Sequence, residues 1–122
     1  MAYPKVRVLS EARVNVSTTS IGTTPVACYI NMPLKGLITK ISACTQGTIT
    51  TGDCTITVAV NGTTNANLAG TIPVASAAAG ELASWTPLTN VYVNEDDVLT
   101  FTPSGASGAT IGCAFTVSVR EI

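Results

Sequence analysis

The chain has 122 residues, a size typical of one domain, with 46% hydrophobic residues, only 11% charged residues and a net charge of −1. Disorder is excluded because it needs low hydrophobicity and high net charge, and the six cations are too few to predict a nucleic-acid partner. Since soluble domains usually carry about 25% charged residues, we expect much of this surface to meet other protein surfaces.

The N-terminal segment is the most charged stretch of the chain. It lacks the continuous apolar run of a signal peptide, so a secretory route is not expected. Residues 1–13 include Lys5, Arg7 and Arg13 and predict either an edge strand protected by charge or an arm that lies on a neighbour. A solvated basic segment, a nucleic-acid contact or a negatively charged partner subunit would each account for these cations. Residues 14–122 are predicted to form the folded domain.

Strands are predicted wherever apolar residues recur at every second position between clusters of turn residues. In chain order the predicted strands are 5–9, 13–16, 26–32, 37–45, 54–60, 67–72, 91–93, 98–102 and 111–120. The clearest predicted strand is 54–60. Ile56 and Val58 are two positions apart in it, so both lie on one face of the strand. Alternation is less regular in 37–45 and 98–102, so we expect both faces of these strands to be partly covered.

Turn residues separate the predicted strands. Asn61-Gly62 predicts a two-residue hairpin turn, because both central positions of that turn need a positive φ. No stretch predicts a long helix, and none approaches the roughly 20 apolar residues of a membrane span, so no membrane partner is predicted. About eight or nine short strands in one small domain predict an all-β, single-domain antiparallel β-sandwich of jelly-roll-like type.

Catalytic chemistry has little support in the composition. The chain has no histidine, so neither a Ser-His-Asp nor a Cys-His site can be built. The four cysteines, Cys28, Cys44, Cys54 and Cys113, contain no C-x-x-C pair. We expect them to be free and mostly buried, with a Cys44–Cys54 disulfide across a hairpin as the alternative. We therefore predict that the protein is not an enzyme and uses no cofactor or metal.

Two local features have a structural and a functional interpretation each. The run 94–97 contains three consecutive acids, which predict a solvated turn, with a calcium site as the alternative. Trp85 is the only tryptophan and is placed in a loop or at the start of a strand. A lone tryptophan there usually caps a core or anchors an interface, and stacking on a sugar is the alternative.

Five stretches of the chain carry a resemblance to a known family. They are GLITKI at 36–41, QGTITTGDCTITV at 46–58, AAAGE at 77–81, WTP at 85–87 and the C-terminal run 108–122. Their order resembles the small head decoration (cement) proteins of tailed bacteriophages, over roughly residues 14–122. The resemblance implies a β-sandwich that sits as a trimer at three-fold or quasi-three-fold axes on the outside of an icosahedral head. There it would clamp neighbouring major capsid proteins and stabilise the assembled shell by mass action.

The resemblance also implies a location on the capsid exterior after assembly in the host cytoplasm. Contact residues are predicted from charge and exposure rather than from a family motif, and they are Tyr3, Lys5, Arg7, Arg13 and Trp85. Two other functions stay open. One is a carbohydrate-binding module or receptor-binding fibre tip that uses Trp85 with neighbouring Thr and Asn side chains. The other is a secreted pilus or surface-layer subunit, which a Cys44–Cys54 disulfide would favour.

Overall fold

The computed structural model describes residues 10–50, 52–74, 80–105 and 110–122, so the strand predicted at 5–9 lies outside the described residues. Ten strands and one 3₁₀ helix, η1, are found in this part of the chain. In chain order they are β1 (Glu11–Thr18), β2 (Cys28–Asn31), β3 (Gly36–Thr45), β4 (Cys54–Val60), β5 (Thr63–Thr64), η1 (Ala66–Leu68), β6 (Gly70–Ile72), β7 (Leu82–Trp85), β8 (Tyr92–Val93), β9 (Val98–Pro103) and β10 (Cys113–Glu121).

The strands form two antiparallel sheets that pack face to face. Sheet A has the order β1-β10-β3-β7, with β8 also paired to β3, and sheet B has the order β2-β9-β4-β5, with β6 also paired to β4. When β5 with β6 and β7 with β8 are counted as two interrupted strands, each sheet has four strands in the order of a jelly roll. The predicted all-β antiparallel sandwich is therefore confirmed.

The apolar faces of the two sheets meet in one core. Phe101 on β9 of sheet B stacks on Phe115 on β10 of sheet A, with ring centroids 4.9 Å apart and planes inclined by 7°. Ile56 and Val58 of β4 are fully buried in the same core, so the predicted inner face of this strand is confirmed. Within the described residues, every buried side-chain nitrogen and oxygen atom has a hydrogen-bond partner.

A β-bulge explains why alternation in β3 looked irregular. The register between β3 and β10 shifts at Ser118 and Val119, so that Thr39 is an extra residue on β3. The Thr39 hydroxyl donates to the Ser118 carbonyl oxygen at 3.2 Å. Because of this extra residue, Ile38 and Ile41 both point into the core although they are three positions apart.

The hairpin predicted at Asn61-Gly62 joins β4 to β5 and is confirmed, with φ values of 50° and 85° at the two turn residues. The strand predicted at 67–72 is wrong in its first half, where η1 replaces it. The physical reason is the Asn65 side chain, which accepts a hydrogen bond from the Asn67 amide at 3.0 Å and so caps a helical turn.

The cysteines are free thiols, as predicted, and Cys28, Cys54 and Cys113 are buried. Burial raises the pKa of Cys28 to about 11. Burial also raises the pKa of Cys113 to about 12, with a smaller contribution from the neighbouring thiols. The alternative of a hairpin disulfide is wrong, because Cys44 lies on β3 of sheet A and Cys54 on β4 of sheet B.

Candidate interaction surface

The outer face of sheet A is a surface of short side chains. Residues directly opposite each other on antiparallel strands share a face, so the register defines rows that run across the sheet. One row consists of Asn15, Thr116, Ser42 and Ser84. The next row consists of Ser17, Ala114, Cys44 and Leu82. Because short side chains lose little rotamer freedom when they are covered, burial of such a face would have a low cost in side-chain entropy.

Three cations lie close together on this face and form what we call the cationic patch: Arg13, Lys40 and Arg120. Arg13 and Lys40 are both cross-strand partners of Ser118, one from each side. Neighbouring strands are about 4.8 Å apart, which puts the Cα atoms of Arg13 and Lys40 about 10 Å from each other. Arg120 lies two residues further along β10 and faces Glu11 across the strand pair. The patch therefore keeps a net positive charge.

Three exposed apolar side chains lie along the opposite edge of sheet A. Leu82 on β7 and Tyr92 on β8 point outward, and 62% and 57% of their surfaces are exposed. Leu88, on the connection between these strands, is 79% exposed, and its amide donates to the Asn67 carbonyl oxygen at 3.0 Å. We call these three residues the apolar edge. Leu82 and Tyr92 pair with Cys44 and Leu37, which are seven residues apart on β3, so the two side chains stand about 20 Å from each other along this edge.

Trp85 closes the gap between the two sheets rather than standing free in a loop. It pairs with Ile41 on the inner face of sheet A, and its indole N–H donates to the Leu68 carbonyl oxygen at 2.9 Å. Gly70 of sheet B lies against the ring, where an added Cβ would be 2.1 Å from the indole. Trp85 thus packs against the core, and Gly70 covers part of the ring that a sugar would need. A contact between its remaining exposed surface and a partner stays a prediction.

The predicted contact residues are not gathered at one place. Arg13 is exposed on β1, an edge strand of sheet A that crosses the predicted boundary at residue 13. Trp85 lies on β7 at the other end of the strand order. Tyr3, Lys5 and Arg7 lie outside the described residues.

The residues Glu95, Asp96 and Asp97 form a hydrogen-bonded turn between β8 and β9, which we call the acidic turn. One carboxylate oxygen of Asp97 accepts from the Asn94 amide at 2.8 Å and the other from the Asn61 side chain at 3.0 Å. These bonds lower the pKa of Asp97. Asp96, at φ 68°, accepts from the Asn31 side chain at 3.4 Å. In the described stretches, no group of three or more potential ligands is arranged to hold a metal ion.

The outer face of sheet B has a different chemistry, dominated by hydroxyl groups. Its cross-strand rows bring together Thr55 with Thr71, Thr57 with Thr102, and Tyr29, Thr100, Ala59 and Thr64. Tyr29 is 66% exposed among these side chains. The two outer faces of the sandwich are thus distinct, one cationic with an apolar edge and the other rich in threonine.

No cleft or enclosed cavity is found in the portion of the chain that is described. That portion also contains no helix with the length and apolar character needed to cross a membrane.

Comparison with known proteins gives matches at the level of fold. A chain of the cyanophage Pam1 capsid asymmetric unit superposes with a TM-score of 0.59 at 16% identity, over 100% of this chain and 93% of that one. A chain of the acidic stable capsid of Helicobacter pylori bacteriophage KHP30 superposes with a TM-score of 0.56 at 14% identity, over 93% and 88%. No protein-family model matches the chain, and no curated protein matches it in sequence.

A third chain comes from Bacillus endospore appendages that form disulfide-linked pili, with a TM-score of 0.46 at 20% identity over 99% and 94% of the two chains. At that TM-score we infer nothing from it. The two capsid matches, at low identity, show a shared fold.

Sequence reasoning missed most of the cationic patch and the whole apolar edge. Lys40 and Arg120 stand at outward positions of predicted strands, but nothing in the sequence shows that both strands flank the strand carrying Arg13. The apolar edge was missed because β7 was not predicted, so Leu82 could not be assigned to a sheet face.

Proposed function

We propose that this chain is a non-catalytic capsid decoration (cement) protein, which binds the outer surface of an assembled phage head and bridges neighbouring major capsid proteins. The observation that carries the proposal is the fold, which matches chains of two phage capsid structures over 93% and 88% of their lengths. The resemblance of the strand and turn sequences to head decoration proteins supports the same conclusion. In this proposal the protein is a homotrimer on the virion exterior, assembled in the host cytoplasm, without a nucleic-acid or membrane partner.

The outer face of sheet A supplies a surface suited to such docking. Its apolar edge offers two leucines and a tyrosine, and its cationic patch offers two arginines, and aromatic residues and arginine are enriched at protein interfaces. A subunit that binds only the assembled shell stabilises that shell, by about 2.7 kcal/mol per site at a free concentration a hundredfold above Kd. Many identical copies would together resist the pressure of packaged DNA.

The proposal is tested by sedimenting the purified protein with assembled, expanded heads that lack it. We expect saturable binding and heads that withstand higher temperature. The double variant Leu82→Asp, Tyr92→Ala removes two of the three residues of the apolar edge and should weaken binding at least tenfold. Tyr29→Ala removes an equally exposed side chain from sheet B and serves as the matched control. A wild-type protein that never sediments with heads would refute the proposal.

The N-terminal contact prediction is tested in the same assay by deleting residues 1–9. The deletion must stop there, because the Ser10 carbonyl oxygen accepts from the Glu121 amide at 2.8 Å and β1 begins at Glu11. We expect the shortened protein to remain folded and to bind heads more weakly. Unchanged head occupancy would remove Tyr3, Lys5 and Arg7 from the set of contact residues.

A carbohydrate-binding or receptor-binding domain is the second candidate function. The observation that favours it is Tyr29, which is exposed on sheet B among threonine hydroxyls, since an aromatic ring beside hydroxyl groups suits a sugar. Glycan binding that is lost in Tyr29→Ala, together with no binding to heads, would favour this function over capsid decoration.

A further inference from the structure

We propose that the cationic patch of one copy binds the acidic turn of a second copy. This contact would join the subunits of the proposed homotrimer, so the inference deepens the proposed function and rests on it.

The charges of opposite sign are separated within one copy. Arg13, Lys40 and Arg120 lie on the outer face of sheet A. The acidic turn leads from β8 of sheet A to β9 of sheet B at one end of the sandwich, and the Asn61 side chain of sheet B donates to Asp97 at 3.0 Å. A turn held there does not lie over the cationic patch of its own chain.

The cations are free to bind such a partner. Among the described residues, no ion pair within 4.0 Å involves the three cations of the patch. Attraction of Arg13 and Lys40 to an acidic surface therefore competes with water and salt, whereas Arg120 also has Glu11 as its cross-strand neighbour. Complementary charges of this kind fix the register of an interface and suppress wrong partners.

The acidic turn is already ordered before it binds. Besides the two bonds to the Asp97 carboxylate, the Asp97 amide donates to the Asn94 carbonyl oxygen at 3.1 Å. Glu95 and Asp96 are exposed at the tip, while Asp97 holds the turn together. A fixed loop loses little conformational entropy on binding, which favours affinity. The same bonds mean that Glu95 and Asp96 are the groups to reverse in a test.

Two different patches that bind each other give a heterologous, head-to-tail contact. Such a contact closes into a ring when its rotation permits and does not produce a two-fold dimer. Such a contact would therefore permit a cyclic oligomer of this chain without any other protein, and would give an open filament where the rotation does not close.

The test is a charge reversal with a rescue, read as molar mass by sedimentation equilibrium over a range of protein concentrations. The face variant is Arg13→Glu with Lys40→Glu, and the turn variant is Glu95→Lys with Asp96→Asn. Asparagine is chosen at Asp96 because it tolerates the positive φ of that position. The combined variant carries all four substitutions. Lys35→Glu and Glu81→Lys reverse exposed charges outside both patches and serve as matched controls.

We expect the wild type to associate, and each reversal to raise the dissociation constant about a hundredfold, since like charges in contact cost several kcal/mol. The combined variant should recover to within about tenfold of the wild type, and the controls should match it. Wild-type association should also weaken between about 0.1 M and about 1 M salt, where the Debye length falls from about 10 Å to about 3 Å. Circular dichroism of each variant establishes that it is folded.

A monomeric wild type, association that is indifferent to salt, or a combined variant that fails to recover would each overturn the inference. A monomer whose face variant loses head binding would assign the cationic patch to the shell instead. Head sedimentation separates the two proposals. An oligomer with the expected reversal pattern that ignores heads would leave this inference standing and refute capsid decoration, whereas a monomer that binds heads would do the opposite.

Discussion

Substituting Gly70 by alanine should break the contact that closes the sandwich at Trp85. The added Cβ would lie 2.1 Å and 2.2 Å from two indole carbons, whereas carbon atoms pack best at about 3.5–4.0 Å. The ring must therefore move by about 1.5 Å, which disrupts its hydrogen bond to the Leu68 carbonyl oxygen. Overpacking costs about 1–3 kcal/mol and the hydrogen bond about 1 kcal/mol, so the free energy of unfolding should fall by about 2–4 kcal/mol.

Urea unfolding measures this change with two probes. Trp85 is the only tryptophan, so its fluorescence reports the displaced ring directly, while far-UV circular dichroism reports the sheets. Gly52→Ala is the matched control, because its added Cβ has no atom within 4 Å and its φ is not positive. We expect that control to be neutral or more stable by less than about 1 kcal/mol.

A double-mutant cycle separates the ring contact from a general effect on β6. In a Trp85→Leu background the indole is gone, so Gly70→Ala should cost less than about 1 kcal/mol, and circular dichroism alone follows unfolding there. A Gly70→Ala variant with wild-type stability and unshifted emission would refute the reasoning. An equal loss of stability in both backgrounds would show that the strand, and not the ring, is the source of the effect.

Four further outcomes follow from the core, the thiols and the acidic turn. Phe115→Ala should lower the free energy of unfolding by about 3–5 kcal/mol in urea, against less than about 1 kcal/mol for its outward neighbour Thr116→Ala. A thiol reagent should modify only Cys44 in the folded protein, and Cys44→Ser should abolish the reaction, unlike Cys113→Ser. Unfolded thiols ionise near pH ~8.5, whereas two buried thiols have pKa values of about 11 and about 12, so stability should fall as pH rises from about 9 to about 12. A flat stability across that range would contradict the burial of these thiols. The lowered pKa of Asp97 stabilises the fold above about pH 4, and this contribution is lost on acidification, so Asp97→Asn should be less stable at pH 7 and show a flatter acid limb of Tm against pH.

The strands that the sequence predicts best are those whose side chains alternate without interruption. The predicted strand 54–60 coincides with β4, and 111–120 contains most of β10, because each has one face against the core along its whole length. Burial on one face is the quantity that period-two alternation reports, so sequence suffices for such strands.

The elements that the sequence did not predict depend on contacts elsewhere in the chain. β7 has only four residues, and its inward Ala83 and Trp85 become a core face because β3 lies beside them and Gly70 lies across from them. The bulge at Thr39 exists because β10 supplies the carbonyl oxygen of Ser118. The partners β3, Gly70 and Ser118 are all distant in sequence from the residues that they contact, so no local pattern could have predicted these features.

The interaction surfaces are harder to predict than the core for a related physical reason. Inward positions must be apolar, which leaves a periodic signal, whereas the outward positions of sheet A mix small polar, charged and apolar residues in no fixed order. What makes Arg13, Lys40 and Arg120 one patch is the antiparallel register, with Arg13 and Lys40 on either side of Ser118. Register follows from the whole jelly-roll topology, so the patch exists only once β1, β10 and β3 are side by side. The same reasoning predicts that proteins with this fold and little sequence similarity would differ most in these rows.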